Sequence, residues 1–144
     1  MRILVINGPN INMIGIREPE IYGTKNYAEL CAYIEDEAKK NNAEIEIFQS
    51  NHEGVLIDKI QSAYKIFDGI VINPGAFTHT SVAIMDALIA IGLPTCEVHI
   101  SDINAREKFR NFSYVSFYAE KSYSGLGFEG YSFAIKYLIE KYSK

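Results

Sequence analysis

Three short apolar runs, each ending abruptly in polar residues, constrain the fold of this chain more than any other feature. The runs begin at Ile3, Gly69 and Thr95, they are rich in β-branched residues, and a helical pattern follows each one. Such runs are typical of buried strands in a parallel sheet. In an open α/β sheet, ligands bind beyond the carboxyl ends of the strands. The polar side chains at the ends of the runs should therefore converge on one crevice: Asn7, Asn10, Asn73, His79, Glu97, His99 and Ser101.

Strand and helix patterns alternate along the whole chain. Strands are predicted at residues 2–7, 44–50, 69–73, 95–100 and about 114–119. Helical periodicity follows from about Asn26, around Leu56, from Thr80 or Ser81, and from about Phe128, with a short turn or helix at 104–109. Five βα units with right-handed crossovers predict a single domain over residues 1–144. The expected architecture is α/β, a flavodoxin-like doubly wound five-stranded parallel sheet in the order 2-1-3-4-5.

One connection is much longer than the others. Eighteen residues separate Asn7 from Asn26, whereas βα loops usually contain about 2 to 6. We expect residues 8–25 to form a lid over the ligand end of the sheet, with disorder as the alternative. The loop contains Arg17 and Tyr22, and a nearby cation lowers a tyrosine pKa by roughly 1 to 3. Tyr22 is thus a candidate general base, or alternatively a tyrosine packed on the loop.

The parity of the fourth strand pairs a carboxylate with a histidine. Successive side chains of a strand point to opposite faces, so Glu97 and His99 share one face while Cys96 and Val98 share the other. This geometry excludes a Cys96–His99 nucleophilic dyad. A carboxylate beside a histidine can fix its tautomer and stabilise the imidazolium. The alternative is a histidine whose hydrogen bonds are purely structural.

Composition argues against several classes of function. The formal net charge of −4 and the pI near 5.4 disfavour nucleic-acid binding, which usually needs a basic patch. No apolar run approaches membrane-spanning length, and no secretion signal is visible, so a cytoplasmic location is expected and the glycosylation pattern at residues 111–113 is attributed to chance. The three histidines lack metal-ligand spacing, and His52 is expected to cap a helix or lie at the surface. Residues 125–130 match a dinucleotide-binding pattern without its following strand, so we expect these glycines to form a tight turn and a close helix contact instead.

Six stretches carry a resemblance to a known family. They are residues 7–10, 17–23, 48–54, 73–81, 97–101 and 105–110. In this order they resemble type II 3-dehydroquinate dehydratase, a small flavodoxin-like lyase of the shikimate and quinate pathways. The resemblance implies trans elimination of water from 3-dehydroquinate through an enolate, without a cofactor or a metal.

The resemblance also implies a role for individual residues. Tyr22, its pKa lowered by Arg17, would remove the proton α to the ketone, and Asn10 would hold a water that stabilises the enolate. His99, oriented by Glu97, would protonate the departing hydroxyl. The remaining implied contacts are with the substrate carboxylate (Asn73 and the amides of Ile100 and Ser101) and with its ring hydroxyls (His79 and Arg110). Family members form trimers that assemble into a dodecamer, in which Asp86 would reach a neighbouring subunit's site, whereas Arg106 receives no separate role.

Other classes of function stay open from the residues themselves. A flavodoxin-like binding or signalling module, a metal-dependent hydrolase and a catalytically inactive scaffold could each use this architecture. A phosphoacceptor module would need clustered aspartates where this chain has residues 7–10. The sequence does not distinguish biosynthesis from quinate breakdown.

Overall fold

A five-stranded parallel sheet organises the chain, and its strand order is 2-1-3-4-5 as predicted. The structure is a computed structural model that describes residues 1–16, 20 and 25–143. The strands are β1 (Arg2–Asn7), β2 (Glu44–Gln49), β3 (Gly69–Asn73), β4 (Thr95–His99) and β5 (Lys121–Ser124). The α-helices are α1 (Tyr27–Lys40), α2 (Glu53–Ser62), α3 (Val82–Ile91) and α4 (Glu129–Tyr142). Five 3₁₀ helices lie among the described residues: Ile11–Met13, Gly75–His79, Ile103–Ala105, Lys108–Arg110 and Val115–Phe117.

Helices cover both faces of the sheet and create two hydrophobic cores. On one face, Val71 and Val98 pack with α1 and α4, where Tyr131 and Leu138 are fully buried. On the other face, alternate residues such as Ile72 pack with α2 and α3. Because the central strands are buried on both faces, their sequences are continuous apolar runs. This burial confirms the doubly wound fold.

Side-chain caps begin two of the helices where the sequence indicated. The Asn26 side chain accepts a hydrogen bond of 2.9 Å from the backbone N–H of Glu29 at the start of α1. Ser81, rather than Thr80, caps α3 by accepting from the N–H of Ile84 at 3.0 Å. Each cap satisfies a donor that the first helical turn leaves unpaired.

The fifth strand lies later in the chain than predicted. Residues 114–119 do not form a strand, because the hydroxyl of Ser113 accepts from the N–H of Ser116 and the Ser116 hydroxyl donates back to the Ser113 carbonyl. These local bonds favour a turn, and Val115–Phe117 is a 3₁₀ helix. The observed β5 pairs with β4 alone. The prediction for residues 114–119 was therefore wrong.

The glycine-rich segment at 125–130 has the structural role that the sequence indicated. Gly125 and Gly127 have φ values of +78° and +60°, which side-chain-bearing residues rarely adopt. A Cβ on Gly130 would lie 3.0 Å from the Cγ1 atom of Val98. The segment is a tight turn that lets α4 approach β4 closely.

Two sequence predictions concern residues outside the described part of the chain. Arg17 and Tyr22 lie there, because residues 17–19 and 21–24 of the predicted lid at 8–25 are outside the described part. Over the residues that are described, no helix has the length and apolar content needed to cross a membrane.

Candidate active site

A cavity opens at the carboxyl ends of β1, β3 and β4, where the sequence places its polar residues. Seven predicted site residues line it: Asn10, Asn73, His79, His99, Ile100, Ser101 and Arg110. Arg106, to which the resemblance assigned no role, also lines this cavity. The arrangement follows the general rule for ligand sites in open parallel sheets.

Glu97 and His99 form a buried pair on one face of β4. The Nε2 atom of His99 donates to the Oε2 atom of Glu97 at 2.5 Å, and the two residues are 1% and 6% exposed. Because a carboxylate accepts hydrogen bonds, the ring carries a proton on Nε2, which leaves Nδ1 to exchange a proton with a bound molecule. The pairing agrees with the strand parity, and Cys96 and Val98 lie in the core on the opposite face.

Three hydroxyl groups hold the Glu97 carboxylate. Thr78 and Ser113 each lie 2.7 Å from its Oε2 atom, and Ser122 donates to its Oε1 atom at 3.3 Å. Burial by itself raises the pKa of Glu97, but the hydrogen bond and charge of His99 together with the bonds from Ser113 and Thr78 outweigh it and lower the pKa. The carboxylate is therefore held in its charged form.

Two loops interlock beside the cavity. The N–H of Gly8 donates to the carbonyl of Asn73 at 2.7 Å. A Cβ on Gly8 would overlap the carbonyl oxygen of Pro74, and a Cβ on Gly75, whose φ is +60°, would lie 2.9 Å from the carbonyl oxygen of Pro9. Only glycine permits so close an approach of the two backbones. The loops after β1 and β3 thus form one rigid rim.

Asn10 lies on this rim in a left-handed backbone conformation, with φ of 68°. Its N–H donates to the Oδ1 atom of Asn51 at 3.0 Å. Gln49 donates to the same Oδ1 atom and to the carbonyl of Gly8, both at 3.1 Å. Asparagine tolerates this conformation better than most residues, and the end of β2 supports it.

His79 approaches the cavity from the 3₁₀ helix after β3. Its Nδ1 atom lies 2.6 Å from the carbonyl oxygen of Phe112, which can only accept, so Nδ1 carries the proton and Nε2 is left for a ligand. Burial lowers the pKa of His79, the Phe112 carbonyl opposes this shift, and the charges of His99 and Arg110 add to it. The Nε atom of Arg110 donates to Glu107 at 2.8 Å. Arg110 therefore brings a positive charge to the cavity wall while its own position is fixed.

Two predicted residues lie elsewhere. Asp86 is exposed on α3 and does not line the cavity of its own chain. His52 is exposed at the start of α2 and its side chain makes no capping hydrogen bond, which agrees with a surface residue. Across residues 1–16, 20 and 25–143, no three His, Cys, Asp or Glu side chains are grouped so that they could hold a metal ion.

The residues that hydrogen-bond to the site residues without lining the cavity were not predicted from the sequence. Thr78, Ser113, Ser122 and Tyr131 each bond a predicted site residue. The one available signal was Glu97 itself, because a buried carboxylate on a central strand needs several donors. Which residues supply those donors depends on the tertiary fold.

Comparisons with known proteins agree with this geometry. The sequence profile of class II dehydroquinases matches residues 1–139. A 3-dehydroquinate dehydratase from Fusobacterium nucleatum is 54% identical over 147 aligned residues that cover all of both chains. The crystal structure of a type II dehydroquinase from Butyrivibrio crossotus has a TM-score of 0.94 at 52% identity and covers 96% of this chain and 97% of its own. That of a type II dehydroquinase from Propionibacterium acnes has a TM-score of 0.93 at 40% identity, with 96% of each chain covered.

These matches extend over nearly the whole chain and include every stretch on which the sequence resemblance was based. The chain also has the same fold as the two crystal structures. The chain belongs to the class II dehydroquinase family.

Proposed function

We propose that this protein is a hydro-lyase that converts 3-dehydroquinate into 3-dehydroshikimate and water in the cytoplasm, as a step of the shikimate or quinate pathway. Membership of the family supports the overall reaction. The observation that carries the proposal is the buried Glu97–His99 pair, which faces a cavity that also contains amide and guanidinium groups. Elimination next to a ketone needs a base, an enolate stabiliser and an acid, and the chain offers a candidate for each.

His99 is the proposed acid. When the ring is doubly protonated, Glu97 keeps the Nε2 proton and Nδ1 carries the proton that can be given away. As the enolate collapses, an oxygen lone pair re-forms the ketone, the electron pair of the enolate double bond forms the new carbon–carbon double bond, and the C–O bond to the hydroxyl breaks. The leaving oxygen takes the Nδ1 proton and departs as water. His99 is then neutral and must regain a proton before the next turnover.

Tyr22 is the proposed base, and it lies outside the described residues together with Arg17. A tyrosine has a pKa near 10, so only about one in a thousand is ionised at neutral pH. A neighbouring guanidinium favours the phenolate. Under a closed lid, the phenolate would remove the proton α to the ketone, and a water held by Asn10 on the rim would donate to the enolate oxygen.

The remaining groups are proposed to bind substrate. Asn73 and the backbone amides of Ile100 and Ser101 would hold the carboxylate, because N–H donors at a strand end suit an anion. His79 and Arg110 would contact the ring hydroxyls, for which the exposed Nε2 acceptor of His79 and the donors of Arg110 are suitable.

Asp86 supports the proposal that the active form is an oligomer. It is exposed on α3, away from its own cavity, so it could meet substrate only in the site of another subunit. We expect trimers assembled into a dodecamer, each subunit a single catalytic domain. Light scattering of the purified protein measures this directly, and a monomer with full activity would exclude a role for Asp86 in a neighbouring site.

An ultraviolet assay with 3-dehydroquinate tests the reaction, since the product is a conjugated enone. We expect turnover that a chelator does not change. Tyr22→Phe and His99→Ala should each fold normally and lower kcat by about 10² or more. Wild-type protein that folds but shows no turnover would overturn the proposed function, and near-normal kcat in either variant would overturn that residue's role.

A further inference from the structure

Tyr131 joins two asparagines beneath the candidate site. It belongs to α4, it is fully buried, and it lies 124 and 58 residues from its partners in the sequence. Its hydroxyl donates to the Oδ1 atom of Asn7 at 2.7 Å, and the Nδ2 atom of Asn73 donates to the hydroxyl oxygen at 2.9 Å. Asn7 and Asn73 are register partners at the ends of β1 and β3.

The single proton of the phenol gives this network a direction. Because the proton is used toward Asn7, the Tyr131 oxygen can meet Asn73 only as an acceptor. Asn73 must therefore present its NH₂ group to Tyr131. At the other end of the same amide, the Oδ1 atom of Asn73 accepts from the N–H of Gly75 at 3.2 Å, so both contacts select one orientation.

Asn7 is held in the matching orientation. It is fully buried, and its Nδ2 atom lies 3.5 Å from the hydroxyl of Tyr27. Its Oδ1 atom faces Tyr131. Burial raises the pKa of Tyr131 far above its ordinary value, so the phenol keeps the proton that it donates to Asn7.

We propose that Tyr131 is a positioning residue that keeps the Asn73 amide turned so that one Nδ2 proton stays available to a carboxylate in the cavity. The inference rests on the proposed function, because the carboxylate is that of the substrate. An NH₂ group has two protons, and Tyr131 accepts only one of them. A flipped amide would place a carbonyl oxygen there, and oxygen lone pairs repel a carboxylate. Tyr131, together with the weaker contact from the N–H of Gly75, thereby sets how Asn73 meets an anion that Tyr131 does not touch.

Tyr131→Phe tests the inference, because it removes the hydroxyl and keeps the ring in the core. We expect KM for 3-dehydroquinate to rise about 10-fold while kcat changes less than about threefold, since the proton-transfer groups are untouched. Tyr118→Phe is the matched control: it removes a hydroxyl that donates to the Leu93 carbonyl at 2.8 Å, on residues that do not line the cavity. Its KM should stay at the wild-type value.

Binding of two probes separates positioning from general loosening. Calorimetry with quinate, which carries the carboxylate, should show about 10-fold weaker binding to Tyr131→Phe, whereas the corresponding carboxamide should bind both proteins within about twofold because an amide can meet either orientation of Asn73. Equal losses for both probes would mean that the change is merely structural and would overturn the inference. So would an unchanged KM.

A second variant covers the case in which Tyr131→Phe does not fold. Asn7→Leu keeps the same number of side-chain heavy atoms and the same branching, and it removes the acceptor, which frees the phenol proton to turn toward Asn73 and lets the amide flip. The same rise in KM and the same selective loss of quinate binding are expected, and their absence would overturn the inference. Wild-type turnover is measured first. Its absence would overturn the proposed function, whereas normal wild-type turnover with unchanged variants would overturn only the role of Tyr131.

Discussion

Replacing Glu97 by glutamine tests whether the buried carboxylate works through its charge. Glutamine has the same shape, and its amide oxygen can still accept the hydrogen bonds that Thr78, Ser113 and His99 give to Oε2. What it lacks is the negative charge beside the ring of His99. The fold should therefore be retained while the imidazolium loses its counter-charge.

The contact distance sets the expected size of the effect. The Oε2 and Nε2 atoms are 2.5 Å apart, but both charges are delocalised, so their centres are roughly 4 Å apart and the attraction is about 4 kcal/mol at an effective dielectric constant near 20. The glutamine dipole retains roughly half of this. A loss of about 2 kcal/mol corresponds to about a 30-fold fall in kcat.

The assay is steady-state turnover of 3-dehydroquinate at saturating substrate, with circular dichroism to verify folding. Glu46→Gln is the control, because Glu46 also pairs with a cation, Lys59, but lies on β2 outside the cavity. Its kcat should match the wild type. A kcat for Glu97→Gln within threefold of the wild type would refute the idea that the Glu97 charge supports the acid.

Two further substitutions test the supporting structure. Ser113→Ala removes one donor to Glu97 and should lower the unfolding free energy at pH 7 by about 1.5 to 3 kcal/mol. The pKa of Glu97 is lower in the folded protein than in the unfolded chain, so the stability that its carboxylate contributes is complete above the unfolded pKa and is lost as the pH falls through the folded pKa. The stability difference between Ser113→Ala and the wild type should therefore shrink toward pH 3 in urea unfolding. A difference that stays constant with pH would contradict this expectation. Gly8→Ala should cost about 2 to 3 kcal/mol or prevent folding, because the methyl group meets backbone. Gly54→Ala is the control for Gly8→Ala, because a Cβ at position 54 meets nothing within 4 Å. It should unfold at the same urea concentration as the wild type or at a higher one. Equal stability of the two variants would contradict the close backbone contact between the loops after β1 and β3.

The central sheet could be predicted from the sequence because its strands are buried on both faces. A run such as β3, in which all five residues are buried, has few structural alternatives. β5 is different: it pairs on one side only, its residues are Lys121, Ser122, Tyr123 and Ser124, and half of them are exposed. The sequence pattern of such a polar edge strand is weaker than that of the more hydrophobic residues 114–119. Those residues stay out of the sheet because the hydrogen bonds between Ser113 and Ser116 form a turn there.

The site residues could be predicted where their positions depend only on the geometry of a single strand or on the ends of parallel strands. Strand parity alone places Glu97 beside His99, and the strand ends place Asn73 and His99 at the same cavity. The supporting groups could not be predicted, because each depends on contacts between distant segments: Ser113 is 16 residues from Glu97, and Tyr131 is 124 residues from Asn7. The roles of Tyr22 and Arg17 stay predictions, since both residues lie outside the described part of the chain.

The interlocked rim formed by the loops after β1 and β3 has a consequence for the order of folding. The two loops can close on each other only after β1 and β3 are paired side by side, and the chain between them contains β2 with α1 and α2. Closing so long a stretch of chain is slow and entropically costly. The groups proposed to bind the carboxylate and the enolate should therefore be assembled late, in the same cooperative step that completes the sheet, so partly folded chains contain strands and helices before they contain the complete candidate site.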